Sequence, residues 1–128
     1  MKKILVSVQN SLLAEAIIMA LKKQGQFRPD RIPSSKSEEI VLISLNMRAD
    51  ILLMEATYLP SSSLDTRIQI CNQLREKLPE CKLVLLCDDD AAPDIADRVK
   101  QAKQNGQIDA FFYASVTANY LTAALDAL

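Results

Sequence analysis

The residues of this sequence best suited to chemistry are acids standing at the ends of apolar runs. Glu55 closes Ile51 to Met54, four consecutive apolar residues entered by Asp50. Asp88, Asp89 and Asp90 follow directly on a second run, Lys82 to Cys87, KLVLLC. Carboxylates gathered at one edge of a sheet could hold a divalent cation, because magnesium and calcium take hard oxygen ligands. The same aspartates could instead cap the next helix and stay solvated. Cys87 lies beside them, and neighbouring negative charge opposes ionisation of its thiol, so a reactive thiolate is disfavoured.

Several chemistries are excluded by what is missing. There is no histidine to serve as a base and no GxSxG elbow, which removes the usual hydrolase arrangements. Cys71, Cys81 and Cys87 form neither a CxxC pair nor a disulfide ladder, so the chain reads as a zinc-free protein of a reducing compartment. Phosphate cradles need glycines so that backbone N–H groups can come close. The only two are Gly25 and Gly106, and the loop after the first apolar run, Gln9-Asn10-Ser11, has none.

Acids at strand ends need a sheet beneath them. Unbroken apolar runs suit strands buried on both faces, as in a parallel sheet covered by helices, and ligands of such sheets sit beyond the carboxyl ends of the strands. Lys2 to Val8 reads as the first strand. Asn10 or Ser11 caps a helix through which Leu13, Ala16, Ile17, Ala20 and Leu21 recur, ending at Gly25. Leu12, Ile18 and Met19 fall off that stripe, so either the helix is broadly buried or its outer side meets a partner. Arg28 to Ile32, between Pro29 and Pro33, has room for a short edge strand. Ser35 with Glu38, or Ser37, is expected to cap a helix with Ile40, Ile43 and Met47 inward.

After the central strand that ends in Glu55, Ser63 caps a helix whose Leu64, Ile68, Cys71, Leu74 and Leu78 share a face. Lys82 to Cys87 is the fourth strand. Pro93 opens a fourth helix with Ile95, Val99 and Ala102 inward and Asn105-Gly106 as its stop. Ile108 to Tyr113 is the fifth strand, and Thr117 or Asn119 starts a last helix with Leu121, Ala124, Leu125 and Leu128 on one face. Five strands alternating with five helices imply right-handed crossovers, a parallel sheet and helices on both sides.

The 128 residues read as one domain, 1–128, able to bury roughly two thirds of its unfolded surface. Apolar residues make up 49% and charged residues 24%, the balance of an ordinary globular chain. A formal charge of -1 gives no positive field for a phosphate backbone, so DNA contact would need another segment. The apolar stretch of MKKILVSVQN stops at Val8 with no cleavage site after it, and no run approaches the roughly eighteen apolar residues of a membrane span. The expected location is cytoplasmic, with no membrane contact.

Three stretches, in this order, carry a likeness: KKILVSVQNSLLAEAI, ADILLMEATYLP and LREKLPECKLVLLC. They resemble the receiver domain of two-component response regulators, and the last of them, with IDAFFYASVTANYLTAAL, is most similar to receivers of LuxR-type transcription regulators. The resemblance implies a flavodoxin-like, CheY-like doubly wound sheet of five parallel strands in the order 2-1-3-4-5 with five helices. It also implies a phosphorelay chemistry: magnesium held by an acidic pair after strand one, an aspartate acceptor, a Thr or Ser after strand four and a lysine after strand five. Here the acidic pair aligns with Val8 and Gln9, the acceptor with Glu55, the hydroxyl with Cys87 and the lysine with Ala114.

Each departure acts against phosphorylation. Val8 offers magnesium no ligand and Gln9 only a neutral carbonyl, and without metal or lysine nothing neutralises a transferring phosphoryl group. Glu55 is a methylene longer than the aspartate it replaces. Its charge could mimic a phosphorylated state, or it could be what remains of a decayed site. Phe111 occupies the aromatic switch position, or is simply a core aromatic. Around Pro60 to Ser63 and over Ala91 to Gln107 the chain is longer than the family's norm, which puts the usual dimer face of fourth helix, fifth strand and fifth helix in doubt.

The expected function is therefore an atypical receiver, non-enzymatic and without cofactor or metal. It would regulate transcription through a protein partner or homodimer, touching DNA only through a C-terminal helix-turn-helix outside this chain. The alternative is a stand-alone α/β enzyme or small-ligand domain that uses the acidic carboxyl edge.

Overall fold

The computed structural model describes residues 1–128. Its strands are β1 (Lys2–Ser7), β2 (Phe27–Arg31), β3 (Ile51–Glu55), β4 (Lys82–Cys87) and β5 (Ala110–Tyr113). The helices are α1 (Ser11–Gln24), α2 (Ser37–Met47), α3 (Leu64–Lys77), α4 (Pro93–Gln104) and α5 (Ala118–Asp126), with a 3-10 turn at Pro60–Ser62. The strands form one parallel sheet in the order β2-β1-β3-β4-β5. This flavodoxin-like, doubly wound α/β architecture is the one expected from the alternation of elements and from the receiver resemblance.

Period-two alternation divides the apolar strand residues between two cores. Leu5, Leu52, Met54, Leu83 and Leu85 pack under α2, α3 and α4. Ile4, Val6, Ile51, Leu53, Val84, Leu86 and Phe112 pack under α1 and α5. The strand ending in Glu55 lies at the centre, its first four residues at most 1% exposed. Pro29 is tolerated because β2 is an edge strand.

Most helix ends match their sequence signals. Asn10 Oδ1 accepts from the Leu13 N–H at 3.1 Å, Ser63 Oγ from Thr66 N–H at 3.2 Å, and Thr117 Oγ1 from Tyr120 N–H at 3.2 Å. Gly25 follows α1 with φ +87°, which only a residue without Cβ adopts freely. The start of α2 differs from expectation: Lys36 occupies the cap position, where its side chain has no acceptor for a cap bond, while Ser37 is already helical. Ser34 Oγ instead accepts from the Lys36 N–H at 3.1 Å, so a hydroxyl turn leads in one residue earlier than the Ser/Glu pattern implies.

Two further expectations change. The inward face of α1 is Ala14, Ile17 and Leu21, with Leu13 and Ile18 packed at its margin, whereas Ala16 is exposed. The aspartates after β4 do not cap α4, whose cap position is Ala92 followed by Pro93. Asp88 Oδ1 accepts from the N–H groups of Asp90 and Ala91 at 3.1 and 3.0 Å, closing a tight turn ahead of the helix.

Candidate functional site

All five positions singled out from the sequence lie at the carboxyl edge of the sheet. Val8 and Gln9 follow β1, Glu55 ends β3, Cys87 ends β4 and Ala114 follows β5. Parallel pairing of β1 with β3 and of β3 with β4 brings the first three strand ends side by side. The backbone N–H of Gln9 donates to Glu55 Oε1 at 2.7 Å, and the Gln9 side-chain amide donates to Ser61 Oγ at 2.9 Å. Val8, 2% exposed, turns inward under α1.

The β1–α1 loop is also held from the edge strand. Arg31 Nη2 donates to the carbonyls of Val8 and Gln9 at 3.0 and 3.1 Å, and Nη1 to Ser11 Oγ at 3.2 Å. Its Nε is a buried nitrogen without a partner.

Beneath the loop lies a residue that the sequence reading missed. Arg67, on α3, is 1% exposed. Its Nε donates to the Glu55 carbonyl at 2.8 Å, Nη1 to Ser7 Oγ at 3.2 Å and Nη2 to the Ser7 carbonyl at 3.2 Å. Burial pulls the guanidinium down to about 10, with the Glu55 carboxylate acting in the opposite direction, so it stays cationic at neutral pH. A buried cation thus ties the ends of β1 and β3 together from inside. The signal was available: Leu64, Arg67, Cys71 and Leu74 form as good an apolar-facing stripe as Leu64, Ile68, Cys71 and Leu74, and the structure buries Arg67 fully and Ile68 only partly.

The remaining positions offer little reactivity. The Cys87 thiol is buried, and burial followed by the charges of Asp89 and Asp88 pushes it up to about 11. Its Sγ lies 3.9 Å from the Phe112 carbonyl. The Ala114 N–H donates to the Cys87 carbonyl at 2.8 Å, and its methyl group is exposed. Phe111 is half-buried against the α2–α3–α4 side and meets Tyr113 edge to face, centroids 5.6 Å apart. An open cavity of about 260 Å³ lies among Asn10, Leu13, Glu55, Thr57, Cys87 and Ala114, with mostly apolar walls. Tyr58, beside it, donates its hydroxyl to Asp94 at the start of α4.

This donor set does not fit the magnesium of the resembled family. Val8 is a buried hydrocarbon, Gln9 offers only a neutral amide oxygen, and one oxygen of Glu55 already accepts from the Gln9 N–H. The ligand oxygens of Asp88, Asp89 and Asp90 lie within 4.8 Å of one another, but Asp88 is engaged in its own turn.

With that geometry in place, the fold is recognisable as the one shared by response-regulator receiver domains. A DNA-binding response regulator of the LuxR family from Staphylococcus aureus superposes with a TM-score of 0.77 at 11% identity, covering 99% of this chain and 98% of that one. The response regulator TrrA from Thermotoga maritima, in complex with Mg(2+)-BeF, gives 0.74 at 17% identity with the same coverage. A response regulator from Desulfuromonas acetoxidans gives 0.72 at 18% identity, covering 99% and 95%. No protein-family profile and no curated protein matches the sequence. Identities this low establish the shared fold alone.

Proposed function

We propose that this chain is a degenerate receiver module that signals through protein contact and takes no phosphoryl group. The observation that carries the reading is the hydrogen bond from the Gln9 N–H to Glu55 Oε1. It draws the carboxylate back onto the β1–α1 loop, at the place where a reacting acid would need a metal ion. Val8 beside it brings no ligand, and Ala114 brings no cation to stabilise the charge of a transferring group. We read Val8, Gln9, Glu55, Cys87 and Ala114 as the remains of a phosphoacceptor pocket and Phe111 as its switch-position aromatic.

On this reading the module is cytoplasmic and non-enzymatic, and it would touch DNA only through a C-terminal helix-turn-helix domain outside this chain. A small-ligand role is less well supported, because the cavity is open and smaller than the roughly 300–1,000 Å³ of ordinary ligand pockets. The test is incubation with acetyl phosphate and magnesium followed by intact mass measurement. The expected spectrum is unchanged, and a stoichiometric gain of one phosphoryl group would refute the reading.

A further inference from the structure

The open cavity of about 260 Å³ at the carboxyl edge does not end at the strand tips. Leu13, Leu86 and Ala114 line it and also line a second, wholly apolar cavity of about 140 Å³ between α1 and α5. The two adjoin along a hydrocarbon wall.

The polar groups around the first cavity differ in what they have left to offer. Asn10 Oδ1 accepts from the Leu13 N–H, Thr57 Oγ1 is engaged by Ser62 Oγ and the Leu59 N–H, and the Tyr58 hydroxyl is given to Asp94. Two carboxylate oxygens remain. Glu55 Oε1 accepts from the Gln9 N–H while Oε2 has no donor, and Asp88 uses Oδ1 for its turn while Oδ2 has none. They stand on neighbouring strand ends, since Glu55 pairs with Leu86 and Asp88 follows Cys87. Arg67 beneath offsets one negative charge, and Asp89, Asp90 and Asp94 keep the edge acidic. The opening thus joins uncommitted negative charge to an apolar wall.

That combination selects its occupant. A metal ion takes oxygen ligands all round and gains nothing from hydrocarbon, and an anion is repelled. A lysine side chain lays a four-carbon stem along apolar surface and carries a compact charge with three donors at its tip. The tip can serve oxygens of two different carboxylates. The planar fork of arginine matches both oxygens of one, and Glu55 has only one free. A single side chain also needs less room than a metabolite. The mouth suits a protein as the bearer: Leu12, 79% exposed, adjoins Leu13, and Tyr58, 64% exposed, lines the opening, so apolar surface surrounds the charged entrance.

We propose that this cavity receives a lysine side chain of a partner protein, its ammonium directed at Glu55 Oε2 and Asp88 Oδ2 and its stem against Leu13, Leu86 and Ala114. The proposal rests on the reading of the chain as a protein-contact module and names the chemistry of the contact. Phosphoryl labelling tests that reading and lysine binding tests this site, so either can fail alone.

The probe is the capped tripeptide acetyl-Leu-Lys-Leu-amide, titrated into isotope-labelled protein to about 20 mM and followed by amide chemical shifts, with a Kd of about 1–10 mM expected for a single anchoring side chain. The shifts should saturate and centre on Leu13, Thr57, Asp88 and Ala114. The analogue with hydroxynorleucine for lysine keeps the length and removes the charge, and it should bind about threefold or more weaker, as should n-butylammonium chloride, which lacks the backbone and flanking leucines. Glu55→Gln and Asp88→Asn each preserve the hydrogen bonds described above and should each weaken the tripeptide, the pair together by about tenfold. Ala114→Leu, which occupies the shared wall, should abolish binding while a dispersed spectrum shows the variant folded. The proposal is overturned by an absence of saturable shifts, by an uncharged analogue that binds as well, by butylammonium binding more tightly than the tripeptide, or by a double variant that binds like the wild type.

Discussion

Arg67 on α3 and Ser7 on β1, 60 residues apart in the chain, are joined by two hydrogen bonds of 3.2 Å that no solvent reaches. With the third bond, to the Glu55 carbonyl, the guanidinium spends all its nitrogens on backbone and hydroxyl oxygens. Truncation would leave those oxygens without their donor and open a void. Arg67→Ala is expected to cost about 3 kcal/mol, measured by urea unfolding, and Arg67→Met, which fills the space, distinctly less. Equal losses for the two variants would mean that packing volume is not what separates them.

Restoring the acceptor alone should not restore its chemistry. Glu55→Asp shortens the arm but leaves Val8, Gln9 and Ala114 as they are, so acetyl phosphate with magnesium should still add no mass. A phosphorylated Glu55→Asp variant would show that Glu55 by itself was the obstacle.

The thiols give a pH prediction. Burial raises Cys71 and Cys81 to about 12 and Cys87 to about 11, all from 9.0. Between those values the unfolded chain releases protons that the folded chain retains, so their contribution is intact below pH 9 and is lost as the pH climbs from 9 toward 12. Unfolding midpoints in urea should therefore fall across that window. At pH 8 a disulfide reagent should react with no cysteine in the folded protein and with all three after denaturation.

Asp109 was another silent residue in the sequence. Its Oδ2 accepts from the Leu83 N–H at 2.7 Å and pairs with Arg75 at 3.2 Å, securing the start of β4. Asp109→Ala should cost about 2 kcal/mol by leaving a donor unpaired, and Asp109→Asn should recover most of it. Arg75→Ala, at a partly exposed pair, should cost under about 1 kcal/mol.

The strands, their order and four of the five helix starts were legible because they rest on local signals: apolar runs, hydroxyl or amide caps, proline at a first turn, and a resemblance spread over the whole chain. The start of α2 was misread because Ser34, Ser35 and Ser37 all offer a hydroxyl, and only the path of the chain after Pro33 decides which one is used. The positions of Val8, Gln9, Glu55, Cys87 and Ala114 at one edge followed from parallel topology. Arg67 was passed over although it shares a helix face with Leu64, Cys71 and Leu74, because a charge competing with Ile68 for that stripe reads as an outward residue. The inward face of α1 was off by part of a turn for a related reason: so many of its residues are apolar that periodicity does not single out one side.

The brace beneath the loop has a consequence for timing. A module that is charged and then discharged keeps a memory whose length is set by the lifetime of a covalent bond. Here the ends of β1 and β3 are clamped by a permanent internal cation, so on the proposed reading there is nothing to wind and nothing to run down. Its output would then follow abundance, rising with synthesis and ending with degradation or dilution.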